Sequence, residues 1–249
     1  FKNRLEKLGF AVKEEEGVLN IDIDENKIYV SFDDEWQKAI NEFYKARQYK
    51  FDSERRVLLA NRSAEFQLTR LSGRYYYKIE HVFKDQKDNV VKIAPASNEF
   101  LLSYFESDRY TKTFSRVKDR IRRRVKFHHK RSRPEKRVKF RPDDFMLMFH
   151  TAQYAVKRKP RNQSIGDIAV DRVRACLFSL AQAKDECWEI SHDIKSPGLL
   201  PQQNLEDDSA TMNIPCASYE PNVVSYYKVA KSSPFSSQVF LSYYHETVA

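Results

Sequence analysis

The 249-residue sequence predicts an α+β fold: an N-terminal antiparallel β-sheet with one or two helices, a basic helix-loop-strand, and a helical C-terminal third. Three observations carry that expectation. Over the first hundred or so residues, apolar and polar positions alternate in short runs, as half-buried strands require. Past residue 143 the apolar spacing lengthens to three and four, the period of a helix. Between these regions, residues 112–141 hold fifteen Lys/Arg and two acids, Asp119 and Glu135. With 41% apolar and 13% aromatic residues, the chain carries more buriable surface than disorder permits.

The elements follow in order. Residues 18–32 (VLNIDIDENKIYVSF) alternate on both sides of Asp24-Glu25-Asn26, a hairpin signal. Asp33 or Asp34 then caps a helix with the stripe Trp36, Ala39, Ile40, Phe43 and Tyr44. Residues 74–83, 90–93 and 99–105 read as strands, with a polar DQKDN turn between the first two. In the basic block, Phe114, Val117, Ile121 and Val125 make a helical stripe over 113–125. Pro134 suggests a loop, and Val138 and Phe140 alternate with cations as in a short strand. Asp143 or Asp144 can cap a helix through Phe145, Met148, Phe149, Ala152 and Val156, and a longer helix is expected from Ile165 to Trp188. Residues 195–220 read as an exposed linker, and Pro221 opens two amphipathic helices separated at Ser233-Pro234. The expected organisation is a β-rich domain at 1–110, the basic element at 111–142, helices at 143–194, the linker at 195–220 and the start of a helical domain at 221–249. Because it opens at Phe1, the chain is expected to be a piece of a longer protein.

Charge points to the partner. The net +9 is unevenly placed: residues 112–141 carry +13, which leaves −4 for the other 219. A segregated basic block holds polyanions and releases counterions as it does so. Arg120, Arg122, Arg123, Arg124, Lys126, Lys130, Arg131, Arg133, Lys136, Arg137 and Lys139 are therefore candidate phosphate contacts. An acidic protein partner is the competing reading. Tyr75, Tyr76 and Tyr77 are candidates for stacking, although alternation on a strand turns Tyr76 away from its neighbours.

Reactive chemistry is less clearly marked. Neither a Gly-rich phosphate loop nor a G-x-S-x-G elbow occurs among only five glycines, so nucleotide hydrolysis is not expected. The alternative function is a nuclease. A metal-free ribonuclease would pair Arg123 with His128, or Arg124 with His129, as cation and general acid or base. A restriction-type endonuclease would use Mg²⁺ with Glu65-Phe66-Gln67 or Glu25-Asn26-Lys27 and an acid such as Asp22 or Asp24. No cofactor is expected unless that Mg²⁺ reading holds, and no metal site is read from His128-His129 or from Cys176 and Cys187. Three scattered cysteines, no signal-peptide pattern and no apolar run long enough for a membrane span lead to the expectation of a cytoplasmic protein without membrane association.

At the C-terminus, YEPNVVSYYKVAKSSPFSSQVFLSYYH resembles the opening helices of bacterial HEPN-type proteins, where a Pro-initiated "YY" helix precedes one beginning "FLxYY". The resemblance covers about a tenth of the chain. It implies that 1–210 is an N-terminal β-rich module and that HEPN helices begin near Tyr219. The family's catalytic Arg and His lie on a later helix, so no catalytic residue is transferred. Together, block and resemblance lead to the expectation of a nucleic-acid-binding recognition or regulatory module of a bacterial stress or phage-defence protein, its active domain lying outside this chain. Oligomeric state is not readable from the sequence.

Overall fold

The computed structural model describes residues 1–15, 17–23, 26–46, 49–71, 79–131, 138–158, 164–184, 186–191, 211–215 and 219–232. The fold is mixed α+β, as the sequence predicts. In chain order the first elements are α1 (Lys2–Lys7), β1 (Ala11–Glu15), β2 (Val18–Ile23), β3 (Asn26–Val30) and α2 (Asp34–Ala46). Next come β4 (Lys50–Asp52), β5 (Val57–Leu59), β6 (Ser63–Arg70), β7 (His81–Lys84) and β8 (Val90–Pro95). They are followed by α3 (Asn98–Glu106), α4 (Asp108–Arg131), β9 (Val138–Phe140) and a 3-10 turn (Pro142–Phe145). The last described elements are β10 (His150–Ala155), α5 (Ile165–Lys184), β11 (Trp188–Ile190), β12 (Met212–Asn213) and α6 (Pro221–Ser232).

Two compact units result, and each draws on two stretches of chain. One comprises Phe1–Tyr49 and Ser97–Met148, the other Lys50–Ala96 and Phe149–Ala249. The contiguous segments read from composition do not trace this interleaving, because strand pairing, not local composition, decides which stretches belong together.

In the first unit, β1, β2 and β3 form an antiparallel meander and β9 joins it parallel to β3. Gly17, at φ +76°, supplies the left-handed residue in the β1–β2 turn. The β2–β3 hairpin lies where the alternation placed it, with Leu19, Ile21, Ile23, Ile28 and Val30 buried. Asp33 caps α2, its Oδ1 accepting from the Trp36 amide at 3.0 Å. Residues 99–105, read as a strand, are instead the core of α3. Phe100 through Phe105 are all buried, so the run shows no period, and a helix buried all round looks like a buried strand. What decides is Ser97, whose hydroxyl accepts from the Phe100 amide at 3.1 Å. Ser97→Ala is expected to destabilise the protein by about 1 kcal/mol, read as a lower urea midpoint at unchanged slope.

The second unit is a large sheet in the order β12-β7-β8-β10-β6-β5-β4, with β11 pairing the far end of β6. All pairings are antiparallel except β12 with β7. Asp85 shapes the β7–β8 turn, accepting from the Lys87 and Asn89 amides at 2.8 and 2.9 Å. Phe66, Leu68, Val91, Ile93, Ala152 and Tyr154 pack with Ala169, Val173, Cys176, Leu177 and Leu180 of α5 in one core. Burial raises the Cys176 thiol to a pKa of about 12, an inert buried cysteine.

Two helical expectations here are corrected. The helix expected over 143–156 is the short 3-10 turn followed by β10, the strand held between β8 and β6. Its helical spacing joins Phe145 of the turn to Ala152 of the strand, and near-complete burial of β10 hides the two-residue period. The helix expected to reach Trp188 stops at Lys184, because Trp188 and Ile190 pair with Arg70 and Leu68. Of the expected linker, Met212 and Asn213 form β12. α6 follows Pro221 as expected and packs on α5 through Tyr227 against Phe178, rings 5.2 Å apart. The helix expected after Pro234 lies outside the described residues.

Beside β11, Glu186 Oε2 meets His81 Nε2 at 3.3 Å and accepts from Trp188 Nε1–H at 3.2 Å. Burial opposes ionisation of Glu186, but these bonds, with the charges of His81 and Arg70, outweigh it and hold the carboxyl below its usual range. A depressed pKa contributes stability above the unfolded value of about 4.3 and loses it as pH falls through the folded value. Glu186→Gln is therefore expected to be less stable at pH 7 by about 1–2 kcal/mol. Urea midpoints should converge with those of the parent as pH falls through the depressed folded value.

Candidate nucleic-acid interface

The helix and the strand of the basic block form as the sequence predicts, though α4 is longer than the expected 113–125; the loop expected at Pro134 lies outside the described residues. Tyr110, Phe114, Val117, Ile121 and Val125 recur at intervals of three and four and are at most 9% exposed. Ring contacts of Phe114 with Phe10 (5.3 Å) and Tyr110 (5.9 Å) fasten the stripe to the core. The Tyr110 hydroxyl donates to the Phe145 carbonyl. The rotation of α4 is thus set, and with it the direction of the cations described on it as far as Lys126.

Several of these cations are internal fasteners. Arg120 Nη2 donates to the carbonyls of Asp144 and Met146, both at 2.6 Å. Burial lowers its pKa, with Tyr110 and Asp144 opposing, yet a guanidinium stays charged. Arg124 pairs with Asp144 and lies 4.7 Å above the Phe140 ring. Arg122 is 3.6 Å from Asp119, and Arg141 is bound to Asp33 at 2.9 Å and near Asp143 at 3.5 Å. Desolvation raises the Asp143 carboxyl, against the pull of Arg141.

The opposite face of α4 differs. Lys112, Arg116, Arg123 and Lys126 are exposed and form no ion pair among the described residues. At about 100° per residue they fall within an arc of about 80°, and at 1.5 Å per residue they run for about 21 Å. Asp119 is the acid on this ridge. Asp119, Arg122, Arg123 and Lys126, at i, i+3, i+4 and i+7, line an open depression of about 430 Å³. Phe127, 56% exposed, stands one turn beyond Arg123.

Among the residues read from the sequence, then, the structure brings Arg122, Arg123 and Lys126 together, turns Arg120 inward, and ties the half-exposed Arg124 to Asp144. Lys139 is exposed on β9 between buried Val138 and Phe140, on the sheet face away from Phe140 and hence from α4. Lys130 and Arg131 lie in the last turn of α4, where only the backbone is described. Arg133, Lys136, Arg137, Tyr75, Tyr76 and Tyr77 lie outside the described residues. Lys112, Arg116 and Phe127 are absent from the sequence-derived set. Their signal is the spacing of three and four from Arg123, legible once α4 is known to begin at Asp108.

The nuclease constellations find little geometry. Five positions of helix separate Arg123 from His128 by about 140°, so they do not share a face. His129 lies on α4 where no side chain is described. Glu65 is 3% exposed and accepts from the Thr151 hydroxyl at 2.7 Å, so its carboxylate is held inside the second unit. Asp22 belongs to the first unit, and Asp24 and Glu25 lie outside the described residues. Among the described residues no group of three or more His, Cys, Asp or Glu could hold a metal, and no helix is long and apolar enough to cross a membrane.

Comparison with protein-family models, curated proteins and solved structures finds no match to this chain.

Proposed function

We propose that the protein binds nucleic acid by neutralising phosphates along the outer face of α4. The observation that carries this reading is the alignment of exposed Lys112, Arg116, Arg123 and Lys126 on the side of α4 opposite its buried stripe. Four like charges along about 21 Å repel one another in the free protein, and a polyanion relieves that repulsion while releasing its condensed counterions. Such contacts position a nucleic acid without reading its sequence. The role is recognition or regulation. Its assignment to a bacterial stress or phage-defence system rests on the HEPN resemblance of the C-terminal segment alone.

The test is a salt-titrated binding assay on single- and double-stranded RNA and DNA, with parallel incubations in EDTA and in Mg²⁺. Binding to several of these ligands is expected, weakening by at least about tenfold between 50 and 200 mM salt, with no cleavage in either condition. Salt-independent binding would contradict the proposal, and so would a discrete complex with an acidic protein that survives nuclease treatment. Cleavage in EDTA or only in Mg²⁺ would assign the chain to the nuclease class instead.

A further inference from the structure

We infer, on the strength of the binding reading above, that the ligand is a double strand and that α4 straddles one of its grooves. Lys112 and Arg116 meet phosphates of one strand, Arg123 and Lys126 those of the other. The four cations are not evenly spaced along the ridge. Lys112 and Arg116 are about one turn apart, as are Arg123 and Lys126, but the helix rises about 10 Å between Arg116 and Arg123. Asp119 stands exposed in that interval, and at about 100° per residue its phase falls within the arc the cations span. Arg122 approaches its carboxylate from one side, at 3.6 Å. The ridge is therefore two positive pairs about a negative middle.

A single backbone laid along such a ridge carries a phosphate past Asp119, like charge against like. A groove offers the matching pattern: two charged rims with base edges, and no phosphate, between them. The interval of about 10 Å compares with a B-DNA major groove about 12 Å wide, whereas the rims of the minor groove, about 6 Å apart, stand closer than the pairs. The wide, shallow minor groove of A-form RNA presents the same two rims, so DNA and RNA duplexes are separate arms of the test. Only the outer face of α4 is called on, since its buried stripe stays in the core.

Fluorescence anisotropy at one salt concentration decides the matter, with labelled DNA and RNA oligonucleotides of one sequence offered single-stranded and as duplexes. The proteins are the full chain, Asp119→Lys, and the double variants K112A/R116A and R123A/K126A. The parent should bind one of the duplexes at least about tenfold tighter than either single strand. Asp119→Lys makes the positive row continuous, so it should strengthen single-strand binding by about tenfold and change duplex binding by no more than about threefold. Each double variant should weaken duplex binding, because each removes the contact to one strand. Phosphate-ethylation interference on the bound duplex should show two clusters of contacts, one on each strand. A preference for the DNA duplex assigns the major groove, and a preference for the RNA duplex assigns the minor groove of the A-form. Single strands bound as tightly as duplexes, equal strengthening of both by Asp119→Lys, or interference confined to one strand overturns the inference while binding itself stands. A parent that binds none of the oligonucleotides removes the underlying reading.

Discussion

Replacing Arg116, Arg123 and Lys126 together by alanine is expected to weaken nucleic-acid binding by at least about a hundredfold near 150 mM salt. Charge-assisted hydrogen bonds contribute about 1.5–3 kcal/mol each, and about 1.4 kcal/mol is a factor of ten. The estimate sets part of each gain against hydration of the free side chains. RNA and DNA should lose affinity alike, since the contacts are to phosphate. The three side chains are exposed and form no ion pair among the described residues, so melting temperature and circular dichroism should stay close to those of the parent. Loss of binding together with loss of fold would show that the ridge had been misplaced.

Arg120→Ala should behave in the opposite way. Its guanidinium is the donor to the Asp144 and Met146 carbonyls, and both interactions are charge-assisted. Truncation removes both bonds, strands the two acceptors and opens space beneath α4, for an expected destabilisation of about 3 kcal/mol. Urea denaturation should show the midpoint falling at nearly constant slope. Affinity measured well below that midpoint should change by no more than about threefold, the residue's place at the ligand being nil. A stable Arg120→Ala protein that no longer binds would return Arg120 to the ligand-facing set. Arg116 and Arg120 stand four residues apart on α4, and the contrast between them is the structural content of the site: one faces water, the other fastens α4 to the Asp144 and Met146 carbonyls.

How much of this was legible without coordinates varies by element. The β2–β3 hairpin, α2, α4 and most of α5 declare themselves, each having one wet and one dry face that stamps its period on the sequence. α3 and β10 do not, for the converse reason: both are buried nearly all round, and a run without a wet face carries no period. β9 was legible as a strand, but its parallel partner β3 lies more than a hundred residues upstream, and nothing local encodes the pairing. The interleaving of the units is invisible to composition for the same reason.

The site shows a similar division. A count of charges locates the basic block but treats every cation as equivalent. Whether an arginine is a fastener or a ligand contact depends on what lies beneath it. For Arg120 and Arg124 that is Asp144, Met146 and Phe140, sixteen to twenty-six residues away along the chain. Helical phase alone separates Arg123 from His128, and that phase is fixed by the buried stripe from Tyr110 to Val125. Among the described residues, therefore, only part of the basic block faces outward on the ridge, and Lys139 stands on a different face of the first unit from it.

The most direct measurement compares the salt dependence of binding for the parent and for the Arg116, Arg123 and Lys126 triple variant on one nucleic acid. Each engaged phosphate contributes about 0.7–0.9 to the slope of log K against log salt, so the variant's slope should be shallower by about 2–3. Parallel lines for the two proteins would mean that none of these cations meets a phosphate, and the ridge on α4 would not be the binding surface.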